Sequence, residues 1–322
     1  MKDFLRFVII VILLLCGIAV YFGYYMLNVA TKPESDYRHQ IDSTYIRVFN
    51  KYPELKTWSD SLKAKGNLRD TLLLADDGTR RHGLILSHDS LSKGTTLVLH
   101  GYDDNAIVMM RYFYLHYEML GRDVLVPEHF NHGNSGGDHI RFGWLDRLDI
   151  KNLWIPLAHQ LWPKQDIIVH GLSMGGAITM FTSGEEFADS LRVSAFIEDC
   201  GYSSIWDQLV YQLKMEYGLP SFPILDIASF ISSLKNGWSF KDGDAIKQVA
   251  KCRKPMFFIH GDADDFVPTE MVYKCYEAKV NGYKELWIVP GAEHARSIHD
   301  CWDEYCQRCE DFIGRVESLK NH

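Results

Sequence analysis

The fold is decided by the stretch Asp166-Ile167-Ile168-Val169-His170-Gly171-Leu172-Ser173-Met174-Gly175-Gly176-Ala177-Ile178-Thr179-Met180-Phe181. The apolar run at its start predicts a buried strand, and the residues after the glycines fit a helix. A Gly-x-Ser-x-Gly pattern between a strand and a helix is typical of a nucleophile elbow. In that motif the glycines let the backbone enter a strained turn, which leaves the serine oxygen exposed above a sheet. The pattern therefore predicts that Ser173 is a nucleophile.

A candidate acid and a candidate base follow later in the chain. Residues 254–261 predict a short buried strand, and residues 262–265 continue it as an acidic loop with three aspartates. Residues 284–290 predict a further strand, and His294 lies in the turn that follows it. The order along the chain is therefore serine, aspartate, histidine. Spacing alone does not choose among the three aspartates.

These residue types are needed together because a serine hydroxyl is a weak nucleophile at neutral pH until an imidazole takes its proton. We expect His294 to be that base, with a carboxylate on its other ring nitrogen to fix the tautomer and stabilise the imidazolium. The charge that develops on the carbonyl oxygen needs preorganised donors. We expect the backbone N–H groups of Met174, after the nucleophile, and of Tyr102, after the predicted strand 95–100, to form this oxyanion hole.

Several motifs give the chain a family resemblance from about Asp70 to the C-terminus. They are His100-Gly101-Tyr102, His132-Gly133-Asn134-Ser135, Gly171-Leu172-Ser173-Met174-Gly175-Gly176, His260-Gly261-Asp262-Ala263-Asp264-Asp265-Phe266-Val267-Pro268 and Gly291-Ala292-Glu293-His294. With these motifs the chain resembles the α/β-hydrolases, in the branch of serine esterases, lysophospholipase-like proteins and serine aminopeptidases. In similar proteins the acid is the fifth residue of a His-Gly-x-x-Asp-x-x-Val-Pro pattern, which implies Asp264 rather than Asp262 or Asp265.

The resemblance implies a catalytic triad of Ser173, Asp264 and His294, and a reaction that needs no cofactor and no metal. The chain departs from the family at one place. Members often carry an Asp-x-Arg-Gly-His-Gly run, whereas residues 127–133 of this chain are Pro-Glu-His-Phe-Asn-His-Gly. The departure concerns local loop contacts and not the triad.

The order of the predicted elements indicates the α/β class. A hairpin over residues 71–75 and 82–87, with Asp76-Asp77-Gly78-Thr79 as its turn, would open the sheet antiparallel. Apolar runs then alternate with helical stretches, the pattern of a mostly parallel, doubly wound sheet covered on both faces. We therefore expect an α/β-hydrolase domain over residues 69–322, preceded by a helical lead-in segment at 31–68.

An insertion at residues 203–251 is rich in aromatic and aliphatic side chains, among them Trp206, Tyr217 and Phe230. We expect it to form a small helical lid. It begins where a strand ends, and in α/β folds ligands collect at the carboxyl ends of the strands. The lid should therefore shape the acyl or alcohol pocket, with most of its aromatics packing it onto the domain.

Residues 1–30 predict a transmembrane segment. Residues 4–27 are almost wholly apolar or aromatic, a run long enough to span a bilayer and longer than the apolar core of a cleaved signal peptide. Lys2 and Arg6 lie on one side of the run, while the first basic residue on the other side is Lys32. The positive-inside rule therefore predicts an uncleaved signal anchor with a cytoplasmic N-terminus and an extracytoplasmic catalytic domain.

Three other interpretations of this segment are weaker. A cleaved signal peptide is the main alternative, although no clear small-x-small cleavage site follows the apolar run. A lipoprotein signal ending at Cys16 would need a small residue where Leu15 stands. A buried core helix is disfavoured, because we expect an all-apolar helix outside the hydrolase domain to have nothing to pack on.

Composition bears on partners and metals. The formal net charge is −8 at pH 7, and no basic patch offsets it, which argues against nucleic acid as a partner.

A group of acids and histidines suits zinc chemically but lacks the spacing of ligands on one element. Its members are Glu128, His129, His132, Asp138 and His139. The Cys306-x-x-Cys309 pair lacks a second pair of matching spacing, so we expect no metal at either place.

The cysteines of the chain leave open whether disulfides form and which residues would pair. Six of the seven fall in the domain that we expect outside the cytoplasm, where disulfides can form. They are Cys200, Cys252, Cys275, Cys301, Cys306 and Cys309. Cys200 follows a predicted strand near the site and is expected to be a small buried apolar residue rather than a nucleophile.

The sequence thus predicts a membrane-anchored serine hydrolase that cleaves an ester or related acyl bond through a Ser173 acyl-enzyme. The substrate would be a small-molecule or lipid-like acyl compound. Peptide or amide cleavage and acyl transfer use the same triad and stay open, as does the oligomeric state. A catalytically silent binding protein on a hydrolase scaffold is the alternative from another class, since fold alone does not establish activity.

Overall fold

The structure, a computed structural model, describes residues 1–33 and 35–320. The strands are β1 (Leu68–Leu74), β2 (Arg80–Leu86), β3 (Thr95–Leu99), β4 (Asp123–Pro127), β5 (Ile167–Leu172), β6 (Val193–Asp199), β7 (Met256–Gly261) and β8 (Lys284–Val289). The α-helices are α1 (Lys2–Thr31), α2 (Ile41–Lys51), α3 (Pro53–Lys65), α4 (Met110–Tyr114), α5 (Asp146–Asp149), α6 (Ile155–Leu161), α7 (Met174–Ser183), α8 (Ile205–Tyr217), α9 (Ile224–Asn236), α10 (Ala245–Lys251), α11 (Glu270–Ala278), α12 (Ser297–Asp300) and α13 (Trp302–Lys320).

All of these strands join one sheet in the order β1-β2-β4-β3-β5-β6-β7-β8. β2 runs antiparallel to both β1 and β4, and the pairs from β4 to β8 are parallel. The predicted hairpin is confirmed, with Leu72 opposite His82 and strand bounds a few residues from those expected. The mostly parallel, doubly wound sheet is confirmed as well.

The central strands β3, β5, β6 and β7 are buried along their whole length. Such runs must be covered on both faces, because an apolar strand in a parallel sheet has no face to offer water. Two hydrophobic clusters provide this cover, one on each face of the sheet. The arrangement leaves the carboxyl ends of the strands as the place where loops and polar side chains meet.

The predicted lead-in segment holds α2 and α3, and the predicted lid holds α8, α9 and α10. α3 packs on β1, and its Leu55 and Leu62 enter the core on that side of the sheet. In the lid, α8 and α9 cover the carboxyl edge of the sheet. α10 packs against α7 and α11 instead, so it belongs to the layer of helices that flanks the sheet.

α1 has two parts that differ in burial. Residues 2–21 are almost all exposed, while residues 22–31 pack along α9 of the lid. Gly23 makes the close approach possible, since a Cβ at this position would lie 2.5 Å from Cγ2 of Ile227. The expectation that the apolar helix has nothing to pack on is therefore wrong for its last third. α9 presents an apolar surface there that no local sequence pattern assigns to α1.

Candidate active site

The nucleophile elbow joins β5 to α7, in the middle of the sheet. Ser173 has φ 56° and ψ −116°, a left-handed conformation that is strained for a residue with a side chain. Its backbone N–H donates to the carbonyl of Asp199 at 2.7 Å. Gly175 lies so close to β3 that a Cβ would stand 2.1 Å from the carbonyl oxygen of Leu99. The elbow is thus held by neighbouring backbone on both sides.

The structure brings Ser173, Asp264 and His294 together from three separate strand ends. Ser173 Oγ lies 2.9 Å from His294 Nε2, and His294 Nδ1 lies 2.7 Å from Asp264 Oδ2. Both distances are within hydrogen-bonding range, so the imidazole bridges hydroxyl and carboxylate. Asp264 Oδ1 accepts from the backbone N–H groups of Phe266, at 3.0 Å, and Val267, at 2.8 Å. The carboxylate is therefore fixed before it orients the histidine.

The electrostatics of the acid favour its ionised form. Burial by itself would raise the pKa of Asp264, but hydrogen bonds from His260 and His294 outweigh it and hold that pKa well below the ordinary value. His260 Nε2 lies 3.3 Å from Asp264 Oδ2 and 2.8 Å from the carbonyl oxygen of Val267. A carboxylate that stays ionised can stabilise an imidazolium on the neighbouring ring.

The other two aspartates of the acidic loop are exposed. Asp262 accepts from the backbone N–H of Gly291 at 2.5 Å, and Asp265 points to solvent. Neither contacts His294 in the part of the chain that the structure describes. The geometry of the loop therefore separates the three candidates that spacing left open.

The two expected oxyanion donors line the same pocket as Ser173. Among the turn, loop and cap hydrogen bonds of residues 1–33 and 35–320, none has the backbone N–H of Met174 or Tyr102 as its donor. The Tyr102 hydroxyl donates to the carbonyl oxygen of Ala30 at 2.8 Å. The loop that carries one expected donor is thus tied to the C-terminal end of α1.

Asp199 connects the elbow to a buried hydrogen-bond network. Its Oδ2 accepts from the hydroxyls of Tyr305, at 2.9 Å, and Tyr112, at 3.1 Å. Burial raises the pKa of Asp199 to about 6, against the effect of these two hydrogen bonds. Because the Asp199 carbonyl also accepts from Ser173, the network links the position of the elbow to α4 and α13.

A cavity lined mostly by apolar side chains opens above Ser173. We call its lower side the floor. The floor consists of Ser173, which lines the cavity, and of Asp264 and His294 behind it, with the strand ends that carry these three residues. We call its cover the roof, formed by residues 22–31 of α1 and residues 205–236 of α8 and α9. Roof residues that line the cavity include Met26, Val29, Ala30, Leu209, Leu213 and Leu225.

The contribution of α1 to the cavity was missed by the sequence analysis, which assigned residues 1–30 to an anchor separate from the domain. Val29 and Ala30 lie three and four residues after Met26, so both share a face of the helix with it. They are ordinary apolar residues in an apolar run, so their spacing carries no signal of a pocket. Gly23, which α9 contacts, and Asn28 interrupt the apolar run near this point.

The acids and histidines considered for zinc are engaged separately. Glu128 accepts from the backbone N–H of Asn134 at 2.6 Å and lies 2.7 Å from a ring nitrogen of His82. His129 and His132 lie against backbone carbonyls, at 3.1 and 2.8 Å. These contacts give the 127–133 loop, where the sequence departs from the family pattern, its own set of buried hydrogen bonds.

One other cluster has the composition of a metal site. Single ligand atoms of Cys200, Asp264 and His294 all lie within 4.8 Å of one another. Two of these residues are already paired, and burial raises the pKa of the Cys200 thiol well above its ordinary value. The thiolate that a metal needs is thereby disfavoured. Every cysteine of the chain, all of which lie in the described part, is free.

Known proteins resemble this chain in sequence and in structure. The chain matches no protein-family model. It is 30% identical over 232 residues to the uncharacterized protein YqkD of Bacillus subtilis, which covers 72% of this chain and 74% of that protein. It is 23% identical over 232 residues to the protein bem46 of Schizosaccharomyces pombe, covering 71% and 70%. The esterase Pf2001 of Pyrococcus furiosus superposes with a TM-score of 0.62 at 25% identity, covering 77% of this chain and 92% of that chain.

Proposed function

The chain belongs to the α/β-hydrolase superfamily, in one family with YqkD, and we propose that it is a serine hydrolase that cleaves carboxylic esters through an acyl-enzyme on Ser173. The observation that carries this proposal is the unbroken chain of contacts from Ser173 Oγ through His294 to Asp264. The esterase found among similar structures supports the same class of reaction. No cofactor enters the reaction.

The proposed reaction starts with Ser173 Oγ attacking the carbonyl carbon of the ester. Its proton passes to His294 Nε2, while Asp264 stabilises the imidazolium through Nδ1. The backbone N–H groups of Met174 and Tyr102 would receive the oxyanion. When the intermediate collapses, the C–O bond to the alcohol breaks and His294 returns the proton to the leaving alcohol. Water then attacks the acyl-enzyme by the same route, releasing a carboxylic acid and free Ser173.

We further propose that α1 is an uncleaved signal anchor that holds the domain on the extracytoplasmic side of a membrane. One helix of the described chain, α1, is long and apolar enough to span a bilayer, a property that signal sequences share. Its packing against α9 supports the anchor over the cleaved signal, because cleavage would remove the roof residues Met26, Val29 and Ala30 from the cavity.

A fluorophosphonate probe tests the proposed chemistry, since it labels only activated serines. The full chain in detergent should be labelled on Ser173, as located by mass spectrometry. Ser173→Ala and His294→Ala should abolish the label and ester hydrolysis. Ser183→Ala is the matched control, because this serine is buried on α7 and its hydroxyl donates to the Met180 carbonyl. An unlabelled, folded wild-type chain would refute the proposal and favour a binding protein on a hydrolase scaffold.

A further inference from the structure

The length of α1 fixes how close the domain stands to the bilayer. Residues 2–21 project from the domain and, at 1.5 Å a residue, measure about 30 Å, the thickness of a hydrocarbon core. The helix continues without a break through residues 22–31, which pack against α9. No flexible linker therefore separates the membrane-spanning part from the roof, and the roof stands at the membrane surface.

Side chains at the junction between residues 2–21 of α1 and the roof suit a membrane interface. Tyr21, Tyr24 and Tyr25 are exposed at this level, and Lys235 of α9 places its Nζ 5.4 Å from the centre of the Tyr24 ring. Tyrosines and lysines concentrate at the headgroup level of bilayers, where one end of each is apolar and the other is wet. This places the α1–α9 contact at the boundary between lipid and water.

The roof also carries exposed, large apolar side chains, which together we call the lid patch. Its members are Met215, Tyr217, Phe222, Phe230 and Leu234. Phe222 is 75% exposed and Leu234 is 73% exposed, which is uncommon for side chains of this size clustered on one small insertion. Since the lid packs directly on the anchor helix, the lid patch lies next to the lipid that surrounds α1.

The same segment of α1 faces the cavity from its other side. Met26 and Val29 line the cavity together with Leu213 and Leu225 of the lid, directly above the elbow. The cavity is therefore bounded by the anchor and the lid at once.

We propose that the last third of α1 is one wall of an acyl-chain channel, and that the substrates are acyl esters of membrane lipids. The acyl chain would enter from the adjoining leaflet between α1 and the lid, with the lid patch seated in that leaflet. The inference rests on the proposed function, since it names the substrate class of the same Ser173 site. In the reaction, water cleaves the ester bond and yields a fatty acid and the lipid alcohol.

A bilayer is favoured over a protein partner as the occupant of the lid patch because the anchor already brings lipid to it. Residues 2–21 of α1 and the lid patch both expose large apolar side chains, and the Tyr24 and Lys235 pair stands where headgroups would lie. A protein partner would have to displace lipid from both surfaces. The choice between the two occupants is an outcome of the experiments below.

The channel wall is tested with the full chain reconstituted in dioleoylphosphatidylcholine vesicles. Val29→Trp narrows the proposed channel, and Val20→Trp is its control on the exposed part of the same helix. The measured quantity is the ratio of kcat/KM for p-nitrophenyl palmitate to that for p-nitrophenyl butyrate. Val29→Trp should lower this ratio about tenfold or more, since even one misfitted methylene costs about tenfold. Val20→Trp should leave it unchanged.

Met26→Ala, which widens the channel, provides a second test if Val29→Trp does not fold. It should raise the preference for chains longer than palmitate. An unchanged ratio in a folded Val29→Trp or Met26→Ala variant would overturn the channel. Fluorophosphonate labelling of Ser173 is measured in each variant, so that a failure of the channel is distinguished from a failure of the proposed chemistry.

The source of the substrate is tested with monopalmitoylglycerol in the same vesicles, by measuring palmitate release; oleate release would report hydrolysis of the host lipid. The double variant Phe230→Asp, Leu234→Asp places two charges in the lid patch, and charged side chains resist burial in lipid. We expect its loss of palmitate release to be at least about tenfold larger than its loss of p-nitrophenyl butyrate hydrolysis. Leu91→Asp is the control. Leu91 is 94% exposed and precedes β3, so it lies at the amino ends of the parallel strands, away from the lid. Equal losses on both substrates would refute delivery from the bilayer and favour a protein at the lid patch.

Discussion

The floor and the roof of the cavity are built by different physics. In the floor, short turns at the ends of β5, β7 and β8 position the side chains of the proposed triad, and backbone hydrogen bonds hold the turns that carry Ser173 and Asp264. In the roof, residues 22–31 meet residues 205–236, about 200 positions further along the chain, and apolar packing holds them. The floor can therefore be recognised from local motifs, whereas the roof depends on long-range contacts.

The two regions also differ in tolerance to change. The floor is closely packed against backbone, so a single added carbon meets atoms that cannot move. The roof consists of flexible apolar side chains around a cavity, which can repack when one of them changes size. Floor substitutions should therefore act on the chemical step or on folding, and roof substitutions on substrate preference.

The largest effect is expected from Asp264→Asn. The amide keeps the shape of the side chain but favours the wrong tautomer of His294, which in serine hydrolases lowers kcat by about 10⁴-fold. Steady-state hydrolysis of p-nitrophenyl butyrate measures this loss. Asp265→Asn, an exposed neighbour in the same loop, should leave kcat within about twofold of wild type. A similar loss in both variants would contradict the assignment of Asp264 as the acid.

Gly175→Ala should act on the stability of the floor. The new Cβ would stand 2.1 Å from the Leu99 carbonyl oxygen and 2.8 Å from that of His100, so the elbow must move. We expect a loss of about 3 kcal/mol in the free energy of unfolding, measured by thermal denaturation. Gly314→Ala on α13 is the control, because open space surrounds it and a helix gains up to about 1 kcal/mol from alanine. A stable, fully active Gly175→Ala variant would show that the floor is looser than its packing indicates.

Tyr102→Phe tests the contact between the roof and the floor, and its expected effect is the smallest of the three substitutions. It removes the hydrogen bond from the oxyanion loop to Ala30, a contribution of about 1 kcal/mol, and should lower kcat about fivefold. Tyr202→Phe is the matched control. It also lines the cavity and loses one hydrogen bond, 2.7 Å long, to the carbonyl of Phe142, but makes no bond to α1. Equal losses of kcat in both variants would argue against a coupling between α1 and the oxyanion loop.

The sequence predicted much of the fold because its signals are local. The hairpin turn at Asp76-Asp77-Gly78-Thr79, the apolar strand runs and the elbow each act over a few residues, and the structure confirms the sheet that they imply. The choice of Asp264 rested on family resemblance, and the structure places its carboxylate against His294. Its catalytic role stays a prediction for the labelling and kinetic experiments.

What the sequence by itself determined is the set of candidate catalytic side chains, their order and the class of sheet that carries them. Only the tertiary structure decided that the last third of α1, unlike its exposed first part, packs on α9 and covers the cavity above Ser173. The physical reason is that apolar residues such as Met26 and Val29 satisfy a bilayer and a protein core equally well. Because these side chains are apolar, they are driven out of water, and the surface of α9 determines where they are buried.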